Sequence, residues 1–104
     1  MFPISRERFE AAVTQAIGAI PAEFQPYLED IHFLVADDSG LRLYGLYEGA
    51  GVLAETSLPA RITLFKDTHE HFANSWQELE EQVRRTLEHE IGHHFQMGEQ
   101  ELPQ

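Results

Sequence analysis

The chain has 104 residues, a hydrophobic share of 42% and a formal net charge of −11, from seven basic against eighteen acidic side chains. That length holds one domain, spanning 1–104, with a single core, and the negative charge excludes surfaces that must neutralise phosphates, so neither nucleic acid nor a membrane is expected as a partner. The absence of cysteine excludes disulfides, thiolate metal sites and thiol nucleophiles, leaving imidazoles and carboxylates to hold any metal.

The first eight residues contain no apolar run of signal-peptide length, and no stretch is long enough to span a bilayer, so a cytoplasmic location is expected. Ser5 reads as a helix N-cap ahead of Phe9, Ala12, Val13, Ala16, Ile17 and Ile20 at helical spacing. That helix is expected to run to about residue 18 or 19. Pro21 then disfavours helical geometry in the residue before it and opens a short irregular turn carrying Phe24, Tyr27 and Leu28.

Ile31 to Ala36 is a strand by its branched and aromatic content, and Asp37 to Gly40 a turn. Leu41 to Tyr47 alternates with period two and predicts a second strand, and residues 52–60 show no period and predict a loop. Arg61 to Lys66 predicts a third strand. Asp67 to His71 reads as a polar connection carrying two histidines.

The last helix opens on a capping box, Ser75-x-x-Glu78, in which each side chain satisfies the other's backbone donor. Trp76, Leu79, Val83, Leu87 and Ile91 then repeat at three- and four-residue intervals, predicting a helix to about Phe95 or Gln96, with Gly98 close to its end. The predicted order is helix, strand, strand, strand, helix. It defines an α+β domain: a small mixed or antiparallel sheet of three to four strands packed on two main helices.

His89-Glu90-Ile91-Gly92-His93 falls near the end of that helix. Histidines four apart stand one turn above each other, so two imidazoles reach one tetrahedral ion. Glu90 projects about 100° round the helix from His89, where it meets a bound water rather than the metal. On a helical wheel Glu90 lies inside the apolar stripe, with His93 and then His89 on its flank, at the edge between core and surface. The negative end of the helix dipole favours a cation there and raises a carboxylate's proton affinity.

From Ile62 to Leu102 the chain resembles the minimal zincin-like metallopeptidases of bacteria, whose motif His-Glu-x-x-His-His-Phe-Gly-x-x-Asp-x-x-Leu stands here as His89 to Leu102. Leu46-Tyr47-Glu48-Gly49 and Arg61 to Phe65 match upstream segments as well. The resemblance implies one zinc per chain, held by His89, His93 and a third ligand at the family's Asp position, which is Glu99 here. Gln96 stands where the family has the glycine that turns the chain back to the metal, and a glycine follows at Gly98. This presents Glu99 from a different angle or brings Glu101 nearer.

The function implied is hydrolysis of peptide bonds in a peptide or protein substrate by a metal-activated water, with Glu90 as general base. An extended substrate is expected to add to the edge of the strand Ile62–Phe65. The alternative is a non-catalytic metal-binding or protein-interaction module on the same scaffold. His71 or His69, Tyr44 and Tyr47 are candidates to contact the oxyanion or substrate; the plainer readings are a solvated connection for the histidines and half-buried packing for the tyrosines. His94 points towards the buried face and reads as a structural histidine under the site, with alternative ligand as its other role. His32 is expected to face solvent or a sheet edge.

Overall fold

The structure, a computed structural model, describes residues 3–49 and 59–99, and residues 96–99 by their backbone alone. The loop expected over residues 52–60 lies outside these residues up to residue 58, as do Glu101, Leu102 and the side chain of Glu99.

Helix α1 spans Arg6–Gly18 and begins where expected, the Ser5 hydroxyl accepting from the Arg8 N–H at 3.1 Å. It buries Phe9, Ala12, Val13 and Ala16. After Pro21 come a 3₁₀ turn, Ala22–Phe24, and helix α2, Gln25–Leu28. Pro26 is tolerated in the first turn of α2 because its missing N–H has no helical partner there. The Gln25 amide closes the end of α1 by donating to the Ile17 and Ile20 carbonyls at 3.0 and 2.8 Å.

Strand β1 is Ile31–Ala36, as its composition predicts. Strand β2 is shorter than its alternation suggests, only Gly45–Glu48. Gly40 and Arg42 take φ of +79° and +56°, and the Ser39 hydroxyl accepts from the N–H groups of Leu41 and Leu43. Left-handed residues break the pleat, so residues 41–44 form an irregular loop despite their apolar alternation.

Strand β3 is Ala60–Phe65, helix α3 Lys66–Phe72 and helix α4 Trp76–Glu99. The polar connection expected over Asp67 to His71 is therefore a helix. It has no apolar stripe because the positions it buries are Thr68 and His69. At the start of α4 the Ser75 hydroxyl accepts from Glu78 N–H, but Glu78 reaches back to the N–H of Asn74, one residue earlier than a capping box requires.

The sheet order is β1-β3-β2, with β1 parallel and β2 antiparallel to β3. Its three strands are those of the described residues. Both long helices cover one face. Phe9, Val13 and Ala16 from α1 meet Leu79, Val83, Leu87 and Ile91 from α4 over Ile62 and Leu64, the inward residues of the central strand. The other face carries His32, Leu34, Leu46 and Glu48, all exposed. Among the described residues no helix is long and apolar enough to cross a membrane.

Because β3 is central, both of its edges are taken. A substrate cannot pair with it, contrary to the expectation from sequence. Among the described residues the outer strands are β1 and β2. The β1 edge is closed at Val35, whose carbonyl accepts from the Arg6 guanidinium.

Candidate active site

Helix α4 crosses the sheet over β2. Thr86 and Glu90 face Gly45, and one turn later His94 faces Tyr47. A Cβ at position 45 would fall 2.8 Å from Thr86 Cγ2, 3.2 Å from Glu90 Cγ and 3.2 Å from the Thr63 carbonyl. Only glycine lets the strand backbone lie this close to the helix.

The wheel positions are those expected. Glu90 is 7% exposed within the apolar stripe, His93 half-buried and His89 exposed. The two Nε2 atoms converge to 3.1 Å with the rings nearly perpendicular at 89°. Two nitrogens on one tetrahedral zinc, each about 2.0–2.1 Å from it, lie about 3.3 Å apart. The pair therefore fits a zinc ion with little rearrangement. Burial pushes the Glu90 carboxyl above the usual glutamate range, against the pull of His89 and His93 towards ionisation.

Among the described residues no group of three metal-ligating side chains is assembled. Helix α4 continues through Glu99, so position 99 lies about 9 Å along the axis and about 240° round from His93.

His94 is buried, as its wheel position predicts. The Tyr47 hydroxyl donates to its Nδ1 at 2.6 Å. Burial lowers its pKa, with Asp30 opposing. The hydroxyl of Tyr47 thus locks β2 to α4.

His69, expected in a solvated connection or in the cleft, is in neither. It is fully buried between the rings of Phe9 and Tyr44. Its Nδ1–H donates to the Phe65 carbonyl at 2.8 Å, and its Nε2 lies 2.9 Å from the Thr86 hydroxyl oxygen, which also stands 2.9 Å from the Gln82 carbonyl. Burial lowers its pKa against the opposing effect of the Phe65 carbonyl. His71 is exposed and lines a concavity of about 550 Å³ that contains none of the motif residues. The structure does not bring it to His89, Glu90 and His93.

Sequence reasoning missed Gly45 and Thr86, and did not place His69 in the core. Gly45 alone carried a signal, as a glycine inside a strand pattern, which marks close backbone approach.

A helix bearing two adjacent imidazoles and a buried carboxylate, packed on a three-stranded sheet among the described residues, is consistent with a metallopeptidase-type fold. The zincin-like metallopeptidase family model matches residues 26–104, and the chain belongs to that family. A solved structure of a conserved hypothetical protein from Thermus thermophilus superposes with a TM-score of 0.62 at 23% identity, covering 86% of this chain and 92% of that one. The likeness shows a shared fold. A search of curated proteins gives no match.

Proposed function

We propose that this chain is a zinc-dependent peptidase acting in the cytoplasm on extended peptide or protein segments. One observation carries the reading: His89 Nε2 and His93 Nε2 stand 3.1 Å apart on α4, beside a buried glutamate whose proton affinity is raised. His89 and His93 would hold the ion, with Glu99 the proposed third ligand if the last turns of α4 unwind, and Glu101 its alternative. Zinc, when bound, supplies a Lewis acid that polarises the scissile carbonyl and acidifies water.

The rest is done by the chain. Glu90, ionised but easily protonated, takes the proton of the attacking water and delivers it to the leaving amine. Strand β2 holds the substrate. Phe65 N–H donates to the Tyr44 carbonyl at 2.9 Å, so positions 44, 46 and 48 face β3 and the N–H and C=O groups of Gly45 and Tyr47 face outward. Tyr47 serves first to fix that strand to α4 through His94; His71 has no part in this arrangement.

The test is hydrolysis of a mixed peptide library by zinc-loaded protein, read by mass spectrometry, against Glu90→Gln. Cleavage by the first and none by the second supports the reading. Equal cleavage by both removes Glu90 from the mechanism. Zinc bound without any cleavage favours the second reading, a non-catalytic metal-binding or interaction module, which the unbroken helix through Glu99 supports.

A further inference from the structure

The loop after β1 and helix α3 flank the concavity of about 550 Å³ that His71 lines, a size ordinary for small-molecule pockets. Its walls are tied together. Asp67 N–H donates to the Asp37 carbonyl at 2.8 Å, and the Asp38 carboxylate and Ser39 hydroxyl accept from N–H groups of the loop.

Three kinds of group face this space with bonding capacity to spare. Thr68 is only 3% exposed, and its hydroxyl makes no hydrogen bond among the described residues. No fully enclosed side-chain oxygen or nitrogen among them lacks a partner. The hydroxyl is therefore the part of Thr68 that opens into the concavity. A polar group set this deep gains from a ligand that bonds it, because burial without a bond is costly.

Arg42 is the second. Lys66 and every other arginine is in an ion pair or, for Arg8, lies 3.9 Å over the Trp76 ring. The Arg42 guanidinium has no carboxylate partner among the described residues, and its carbon stands 6.0 Å from the Phe72 ring centre. In a chain with eighteen acidic side chains against seven basic, it is open to a carboxylate from outside.

The third is a pair of carboxylates. Asp38 accepts from Gly40 N–H through one oxygen, and Asp67 has the Lys66 ammonium only at 3.9 Å. Glu70 differs, since its Oε2 already accepts from Lys66 at 3.2 Å and from Ile4 N–H at 2.7 Å.

These charges select the ligand. An anion alone would face Asp38 and Asp67, and a cation alone would leave Arg42 without a counter-charge. A metal ion would need three ligating side chains together. Among the described residues, which include every lining residue, none are so gathered.

We propose that this concavity binds a small zwitterion, a free α-amino acid with an apolar side chain. Its carboxylate pairs with the Arg42 guanidinium at two points and accepts from the Thr68 hydroxyl. Its ammonium lies against Asp38 and Asp67, and its side chain rests on the exposed Leu41.

The experiment titrates ¹⁵N-labelled protein with L-leucine into the millimolar range, leaving zinc out so that leucine is not drawn to an ion on the motif histidines. Isoamylamine and isocaproate, which are leucine without its carboxylate and without its ammonium, are titrated alongside. Leucylleucine, with its two charges a residue further apart, is the fourth probe. Saturable amide shifts at Arg42, Asp67 and Thr68 are expected with leucine, and binding at least about tenfold weaker for the other three. Arg42→Asn should weaken leucine at least about tenfold and Thr68→Val about threefold. Both variants keep the fold: asparagine tolerates the left-handed backbone at position 42, and valine removes no hydrogen bond within the protein. Isoamylamine binding as tightly as leucine would reduce the site to a carboxylate patch, and isocaproate doing so would reduce it to Arg42 alone. Leucylleucine binding in leucine's place would make the ligand a peptide end. Each of these results, like the absence of saturable shifts or an unchanged affinity in Arg42→Asn, overturns the amino-acid site. All of them leave the peptidase reading standing, because no motif residue lines the concavity.

Discussion

Gly45 and Glu90 touch across the strand–helix interface: a side chain at position 45 would begin 3.2 Å from Glu90 Cγ and 2.8 Å from the methyl of Thr86. The second separation is shorter than real side chains tolerate, so Gly45→Ala must push β2 away from α4. We expect a loss of about 1–3 kcal/mol in stability, the usual cost of overpacking. Hydrolysis should fall at least tenfold, while zinc affinity stays within about twofold, because neither histidine of the pair is among the groups that a side chain at position 45 would meet. Urea denaturation, peptide kinetics and zinc titration on one preparation check this.

Glu90→Gln is expected to abolish hydrolysis, a fall of at least about 10² for a lost general base, and also to stabilise the zinc-free protein at neutral pH. The sign follows from burial. A carboxyl whose folded pKa is raised contributes stability below its unfolded pKa, near 4.3, and loses it as pH rises through the folded value. Glutamine never ionises and escapes that loss. The melting temperature of the variant should exceed the wild type's by a margin that grows between pH 4.5 and 7.5. A constant or negative margin would show that the Glu90 carboxylate is well solvated.

His69 predicts an acid limit. Its folded pKa is lowered by burial, so below about pH 6.5 the unfolded chain takes up a proton that the folded protein refuses. Stability is complete above that pH and declines as pH falls towards the folded value; His94 acts in the same direction. Thr86→Val keeps the shape but removes the hydroxyl that is hydrogen-bonded to His69 Nε2 and to the Gln82 carbonyl, at a cost of about 1–3 kcal/mol for a buried polar atom left unpaired. Chemical denaturation at half-unit steps from pH 5 to 8, on wild type and His69→Leu, checks the slope. The variant's should be shallower.

The third metal ligand is open to direct measurement. Because α4 runs helical through Glu99, a carboxylate beyond His93 can join the ion only by unwinding the helix end. Glu99→Ala should weaken zinc binding at least tenfold and Glu101→Ala little. Zinc should also remove a small part of the helical circular-dichroism signal in the wild type and not in Glu99→Ala. Equal affinities in all three proteins would leave the histidine pair without that partner.

Leu87 is fully buried at the centre of the core, facing Ile62 and Leu64 from α4. Leu87→Ala should cost about 2–5 kcal/mol, a large share of what a domain of this size holds. A melting temperature lowered by more than about 10 °C is expected.

What could be read along the chain was whatever depends on near neighbours. Ser5 with the stripe from Phe9 to Ala16, the branched run Ile31–Ala36, and Leu79 to Ile91 each announce their element, because helical and strand periods are local. The same holds for His89, Glu90 and His93: a four-residue helical spacing brings the imidazoles together whatever the rest of the fold does. The tertiary structure decided the matters that turn on distant pairings. Placing β3 between β1 and β2 took the edge of Ile62–Phe65 away from substrate. Left-handed Gly40 and Arg42 cut β2 short, and Ser39 stabilised the resulting loop against the alternation of Leu41 to Tyr44. Helix α3 buried polar Thr68 and His69, which no hydrophobic pattern records. His69 finds its partner seventeen residues on, in Thr86, and Gly45 meets Glu90 only because β2 and α4 are packed together. Such contacts are set by the balance of burial and hydrogen bonding over the whole chain, and no short window of sequence contains both partners.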